Sequence, residues 1–160
     1  MNVINEVGAM PTRNMREVQF EGASKISGEA MLEPRESDGK ANLTTNAACF
    51  GCTIACGRIS TIDPQHYTIV NNPQYMGNSG GLEYEAAWAL GSDTGIDDLD
   101  ALTYAQFLCN EDGYDPISFG ATVAAAMELF EMGAITTKDT DGLELKFGSA
   151  EALTKAAELV

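Results

Sequence analysis

Apolar residues recur with helical spacing along the second half of the chain and lose that rhythm in the first half. Glu83–Leu90 carries Tyr84, Ala87, Trp88 and Leu90 and runs into Gly91, which predicts a helix with its stop. Asp97 stands as the N-cap of a helix over Asp98–Cys109, whose apolar face is Leu99, Leu102, Ala105, Phe107 and Leu108. Acidic residues fill its first turn, where the peptide dipoles favour negative charge, and Gly113 lies just past its end. Ser118 caps a helix running to about Met132, with Gly133 as its stop, and Ser149 caps a last helix over Ala150–Val160. The connection Lys138–Phe147 includes a short strand at Leu143–Phe147.

The first 45 residues are polar and broken by glycine and proline. One helix is expected there, Glu21–Leu32, with Ala23, Ile26, Ala30 and Met31 on one face. Glu33-Pro34 ends it, because the residue before proline is pushed out of the α region. Glu36–Asn46 reads as loop. Ile59–Ile62 and His66–Val70 cluster β-branched residues and predict a strand pair around Asp63-Pro64. Asn71–Gly81 is rich in Asn and Gly and reads as loop; its Gly-Asn-Ser-Gly-Gly run, without a lysine, is a flexible connection rather than a phosphate cradle. The fold class is mainly α, a multihelical domain with a small β-hairpin element. At 160 residues, residues 1–160 make one domain.

Charge changes which partners are plausible. The net charge is −15, which disfavours phosphate backbones and anionic lipid, so no nucleic acid and no membrane are expected as partners. Residues 1–58 hold six basic and seven acidic residues; residues 59–160 hold three and seventeen. No Lys or Arg lies between Arg58 and Lys138. A solvated acidic face explains this, and so does a surface that meets a basic partner or other parts of a longer polypeptide. No apolar run is long enough to span a bilayer and no secretory leader opens the chain, so the expected location is cytoplasmic, where thiols stay reduced.

Four cysteines then matter as thiols. Cys49, Cys52 and Cys56 follow the spacing C-x2-C-x3-C within Cys-Phe-Gly-Cys-Thr-Ile-Ala-Cys-Gly-Arg. A short glycine-containing loop can turn three thiolates toward one centre. Zinc sites usually pair two separated Cys or Cys/His couples, and the single histidine, His66, offers no second couple. Three cysteines from one loop with one remote cysteine suit an iron–sulfur cluster better, with Phe50, Ile54 and Ala55 as its shield. Zinc and three unconnected thiols are the competing readings. Cys109 is either a remote ligand or a buried small apolar residue on a helix, the second being the commoner use of free cysteine. His66, with no catalytic constellation near it in sequence, reads as structural.

The cysteine loop has company. Gly8-Ala9-Met10-Pro11-Thr12-Arg13-Asn14 and Glu21-Gly22-Ala23-Ser24-Lys25-Ile26-Ser27-Gly28-Glu29 precede it. Glu83-Tyr84-Glu85, Gly95-Ile96-Asp97-Asp98-Leu99, Cys109-Asn110-Glu111-Asp112-Gly113-Tyr114-Asp115-Pro116-Ile117-Ser118 and Asp141-Gly142-Leu143-Glu144-Leu145-Lys146-Phe147-Gly148 follow. In this order the chain resembles the middle part of the tungsten-dependent aldehyde ferredoxin oxidoreductase family over nearly its whole length.

The resemblance implies a [4Fe–4S] cluster beside a tungsten (or molybdenum) bis-pterin, in an enzyme that oxidises a small aldehyde to a carboxylic acid and passes electrons to ferredoxin. It implies that the chain is the first of two helical domains, with the N-terminal β-rich pterin domain and the last helical domain absent. Cys49, Cys52 and Cys56 match three cluster ligands; the fourth belongs to the later helical domain, and Cys109 does not match it. Asn110, Gly113, Tyr114 and Asp115 fall on the pterin-contacting D-x-x-G-L-D motif, with Asn110 in place of its first Asp and Tyr114 in place of its Leu. One of Glu83 and Glu85 is the expected proton carrier at the metal, and Leu82 stands where the family pattern has proline. The isolated chain is expected to lack turnover and to need the remaining domains or a partner subunit. The rival expectation is a non-catalytic iron–sulfur electron-transfer or binding subunit of a split enzyme. The acidic surface does not suit docking of ferredoxin, itself usually acidic.

Overall fold

A computed structural model describes residues 1–160. The elements in chain order are α1 (Asn2–Glu6), β1 (Leu43–Ala47), β2 (Gly57–Thr61), α2 (Tyr67–Val70), β3 (Gly77–Ser79), α3 (Tyr84–Leu90), α4 (Leu99–Asp112), α5 (Pro116–Glu131) and α6 (Ala150–Leu159). Single 3₁₀ turns lie at Ala30–Leu32, Pro73–Tyr75 and Ser92–Thr94. The expected class holds: helices dominate and the strands form one small antiparallel sheet.

The core is built around α4. Every residue from Ala101 to Cys109 is buried, so this helix is enclosed on all sides rather than on one stripe. α3, α5 and α6 surround it, and Leu102, Phe107, Leu90, Met127 and Leu153 fill the space between them. α3 and α5 approach unusually closely, since a Cβ on Gly120 would lie 2.5 Å from the Ala89 carbonyl oxygen.

The helix starts shift from those expected, for reasons of local chemistry. Asp98, not Asp97, caps α4, its Oδ1 accepting from the Ala101 N–H at 3.1 Å. Asp97 turns outward to Lys25 at 2.6 Å. Asp115 rather than Ser118 caps α5; its carboxylate accepts the Ser118 N–H at 2.7 Å, and Pro116 takes the first helical position, where no donor is needed. Ser149 caps α6 as expected.

Three of the expected helices and strands fail. The helix over Glu21–Leu32 is a run of turns ending in one 3₁₀ turn. Its predicted inner face is nonetheless inside, with Ala23, Ile26 and Met31 buried. Gly22, Ser24, Ser27 and Gly28 remove helix propensity, and the Ser27 hydroxyl donates to the Ser24 carbonyl and accepts from the Ala30 N–H, satisfying the backbone locally. His66–Val70 is not the partner strand of β2: Tyr67–Val70 is a short helix. Asp63 accepts from the Gln65 and His66 N–H groups, and that turn carries the chain away from the sheet. Leu143–Phe147 forms no strand; it is an irregular connection with turn bonds such as Lys146 N–H to the Glu144 carbonyl, anchored by buried Leu145.

The expected strand at Ile59–Ile62 is present as β2, but its partners come from segments that read as loops, β1 from the end of Glu36–Asn46 and β3 from Asn71–Gly81. β2 is central, pairing with β1 (Leu43↔Ser60, Ala47↔Gly57) and with β3 (Ile59↔Ser79, Thr61↔Gly77). β1, largely exposed, has no apolar alternation for the sequence to reveal. Because β1 and β2 pair down to Ala47↔Gly57, residues 48–56 become the connection of a β-hairpin.

Candidate functional site

That hairpin connection contains all three loop cysteines. Gly51 and Ala55 take left-handed backbone conformations (φ 72° and 53°), which let nine residues close the hairpin in two tight bends. The Cys52 N–H donates to the Cys49 carbonyl at 3.0 Å, forming the first bend. Cys52 Sγ accepts the Ile54 N–H at 3.4 Å. The Ile54 and Ala55 amides hold the Cys52 thiol below the ordinary thiol range, favouring the thiolate that binds metals. Cys49, Cys52 and Cys56 are all exposed, and so are Phe50 and Ile54 beside them. The apolar side chains expected to shield a cluster therefore stand around the thiols with nothing covering them.

No three Cys, His, Asp or Glu side chains are gathered into a ready metal-ligand set. The donor chemistry of the loop nevertheless fits an iron–sulfur group, with three accessible sulfurs on one nine-residue turn and amide donors already directed at one of them. Cys109 is elsewhere. It is fully buried in α4 and burial pushes its thiol up to about 12, the reverse of the condition a ligand needs.

The hairpin is fastened to the helices by residues 80–82. The Arg58 carbonyl accepts both the Gly80 N–H (2.8 Å) and the Gly81 N–H (3.0 Å). Arg58 Nη1 donates to the Leu82 carbonyl at 2.8 Å and reaches Met31 Sδ at 3.1 Å. On the other side, Asn110 Nδ2 at the end of α4 donates to the Gly80 carbonyl at 3.0 Å. Asn78 Nδ2 donates to Glu111 at 2.7 Å. Neither glycine tolerates a side chain: a Cβ on Gly80 would lie 2.1 Å from Asn110 Nδ2, and one on Gly81 would lie 2.1 Å from Ser60 Oγ. The run expected to be a flexible connection is a fixed strap. The signals available in sequence were the paired glycines and the single arginine that closes the cysteine motif.

The strap delivers the chain into α3, where the two candidate glutamates differ. Glu83 occupies the N-cap position and lines a cavity of about 360 Å³ with Arg58, Leu82, Tyr84, Ile26 and Met31. Glu85 lies in the first turn of α3 and accepts from Trp88 Nε1 at 2.5 Å.

Asn110–Asp115 forms the junction of α4 and α5. Gly113 is left-handed (φ 78°) with no atom near the place of its missing Cβ. Tyr114 turns inward, its hydroxyl donating to the Ala157 carbonyl at 3.0 Å and its ring packing on Phe119. Burial pushes the Tyr114 hydroxyl up to about 12. The exposed Asp115 carboxylate caps α5, and that contact with Ser118 holds it below the usual carboxylate range. A carboxylate has about four acceptor sites, so Asp115 can cap α5 and still accept from a ligand. Gly113 and Asp115 thus form the open edge of the junction, while Asn110 and Tyr114 brace it.

His66 is structural in its contacts, with Nδ1 2.7 Å from Thr68 Oγ1 and Nε2 3.2 Å from Asp98 Oδ2.

Comparison with known proteins adds a family. The model for aldehyde ferredoxin oxidoreductase, domains 2 and 3, matches residues 1–160. The chain is 40% identical over 154 residues to the tungsten-containing aldehyde ferredoxin oxidoreductase of Thermococcus kodakarensis, covering 96% of this chain and 22% of that protein. It is 39% identical over 156 residues to the protein of the same description from Pyrococcus abyssi, covering 96% and 23%. A more distant relative, the aliphatic sulfonate oxidoreductase, WOR-like subunit, of Pyrococcus furiosus, is 30% identical over 114 residues, 71% of this chain and 17% of that subunit. The chain spans less than a quarter of the length of the curated relatives it matches. No helix is long and apolar enough to cross a membrane.

Proposed function

The chain belongs to the aldehyde ferredoxin oxidoreductase family, and on that premise we propose that it is the part of a tungstopterin and iron–sulfur oxidoreductase that contributes three of four cluster ligands. The observation that carries the proposal is the exposed hairpin turn with Cys49, Cys52 and Cys56, within a chain that matches the family over its whole length. Bound there, a [4Fe–4S] cluster supplies one-electron transfer, and a tungsten bis-pterin supplies the two-electron oxidation of an aldehyde to a carboxylic acid.

This chain's own residues do the rest. The Ile54 and Ala55 amides stabilise negative charge on Cys52 Sγ. Gly113 and Asp115 offer an acceptor edge for the ring N–H groups of the heterocycle, with Asn110 and Tyr114 holding that edge in place. One of the two glutamates that open α3, Glu83 or Glu85, takes up and releases a proton at a carboxylate oxygen. The remaining domains or a partner subunit complete the fourth cluster ligand and the pterin cradle, and ferredoxin receives the electrons.

Anaerobic reconstitution of the purified chain with iron and sulfide tests the cluster. A brown protein with broad visible charge-transfer absorption is expected, and a colourless one overturns the reading. With tungsten cofactor and aldehyde added, the chain alone is expected to leave a viologen dye oxidised; dye reduction would show it complete. The second reading is a non-catalytic iron–sulfur subunit of a split enzyme, favoured by one relative being described as a subunit. Co-purification with a partner that supplies the missing cysteine and no aldehyde-dependent dye reduction would select it.

A further inference from the structure

We propose that Arg58 is a positioning residue that sets the cysteine loop against the glutamates opening α3 and supplies the positive charge that a thiolate-bound cluster requires. The charge part of this rests on the cluster reading above; the mechanical part does not.

Arg58 stands two residues after Cys56 in β2. Its main chain and its side chain grip the same three-residue strap from two directions. The carbonyl accepts from Gly80 and Gly81, and the guanidinium donates to the Leu82 carbonyl, the residue immediately before Glu83. The route from Cys56 to Glu83 is therefore two covalent steps, one residue's paired grips, and one covalent step. Removing the side chain leaves the strap held at Gly80 and Gly81, by the Arg58 carbonyl and Asn110, and frees Leu82, the residue next to α3.

The guanidinium is also half-buried and makes no ion pair. Arg13, Arg16 and Arg35 each have carboxylate partners within 4.0 Å, whereas Arg58 has a carbonyl and a thioether. Withdrawing a cation from water without an anion costs free energy that neutral acceptors offset only in part. The carboxylates of Glu29 and Glu83 line the same cavity but neither pairs with Arg58 within 4.0 Å, and a cluster on the loop that ends two residues before Arg58 would add the negative charge this stretch of chain lacks. In a protein with net charge −15 and no other Lys or Arg until Lys138, Arg58 is the cation nearest in sequence to the loop.

Two variants separate the roles. Arg58→Met removes both charge and grip; Arg58→Lys keeps the charge but replaces Nη1, the one nitrogen that reaches both the Leu82 carbonyl and Met31 Sδ, with an ammonium on a shorter stem. Amide hydrogen exchange of the cofactor-free chain is expected to be about tenfold faster at Gly80–Tyr84 in both variants, with α4 and α6 unchanged. After reconstitution, the cluster midpoint potential is expected to fall in Arg58→Met and to stay near the parent value in Arg58→Lys. Unchanged exchange at Gly80–Tyr84 in both variants overturns the grip. An equal fall of potential in both, or in neither, overturns the charge role. If Arg58→Met does not fold, Arg58→Gln takes its place: it removes the charge but keeps a polar side chain, and a potential that falls in Arg58→Gln but not in Arg58→Lys supports the charge role, whereas equal potentials overturn it. If no variant, parent included, assembles a cluster, the cluster reading and the charge role fall together, and exchange still decides the grip.

Discussion

Cysteine occurs in two opposite settings in this protein. At the hairpin, three thiols stand in water on a turn closed by two left-handed residues, beside the exposed side chains of Phe50 and Ile54. In α4, a single thiol is sealed among Leu, Phe and Tyr side chains and resists ionisation. The core is complete in itself, whereas the hairpin turn displays donors and apolar surface that nothing in the chain uses. The difference shows that thiol environment, more than thiol count, separates ligand from filler.

Substitutions can break that contrast. The largest expected effect is all-or-none: Cys52→Ser abolishes iron and sulfide incorporation on reconstitution while leaving the thermal midpoint of the cofactor-free chain within about 1 °C, because the side chain is exposed and the serine oxygen can accept the Ile54 N–H in place of Sγ. Iron and sulfide assays with a thermal melt check both halves. Retained incorporation, or a large fall in the melt, would dissolve the distinction between the two settings.

Next comes the core itself. Leu102→Ala is expected to lose about 2–5 kcal/mol, because it empties a fully buried position between α4 and its neighbours. Chemical denaturation of the cofactor-free chain measures it. Cys109→Ser is smaller, about 1–3 kcal/mol, from placing a hydroxyl where only a weakly polar thiol sat. That change is expected to leave the iron content of the reconstituted chain unaltered. Loss of iron in Cys109→Ser, with the fold intact, would move Cys109 from filler to ligand.

The same contrast explains what the sequence made legible. The helices around α4 announce themselves because their burial is local in origin: apolar spacing marks the inner face, while Asp98, Asp115 and Ser149 supply caps and Gly113 a stop. The one- and three-residue shifts of the first two caps arose because Asp97, Asp98, Asp115 and Ser118 are all able to cap, and contacts elsewhere, such as Lys25 to Asp97, decided among them. In the sheet only β2 was legible, from its β-branched residues; β1 and β3 have no apolar alternation and exist by pairing with β2, a long-range fact. Glu21–Leu32 had a helical apolar pattern but serine and glycine at the positions that had to propagate the helix, and local side-chain bonds won. In the site, the three thiols were visible from spacing, and the strap was not. Arg58, Gly80 and Gly81 act through contacts between segments more than twenty residues apart, which no local pattern encodes.

The smallest effect expected lies between the two regions, where α4 begins. Burial raises the Asp98 carboxyl, but the His66 hydrogen bond and the Ala101 N–H outweigh it and leave the group below its ordinary value. A carboxyl depressed on folding adds stability that is fully present above its unfolded value, about 3.9, and is lost as pH falls through the lower folded value. Asp100, two residues on, is raised by burial despite Arg35, so its contribution has the opposite sign and favours the fold as pH falls. Asp98→Asn is therefore expected to remove the acid-side loss that Asp98 causes, leaving the Asp100 gain unopposed. Asparagine can still cap, so stability at pH 7 should fall by less than about 1 kcal/mol. Denaturant titrations of both chains from pH 7 to pH 3 measure the difference; identical pH profiles would mean that the His66–Asp98 contact does no electrostatic work at the entry to the core.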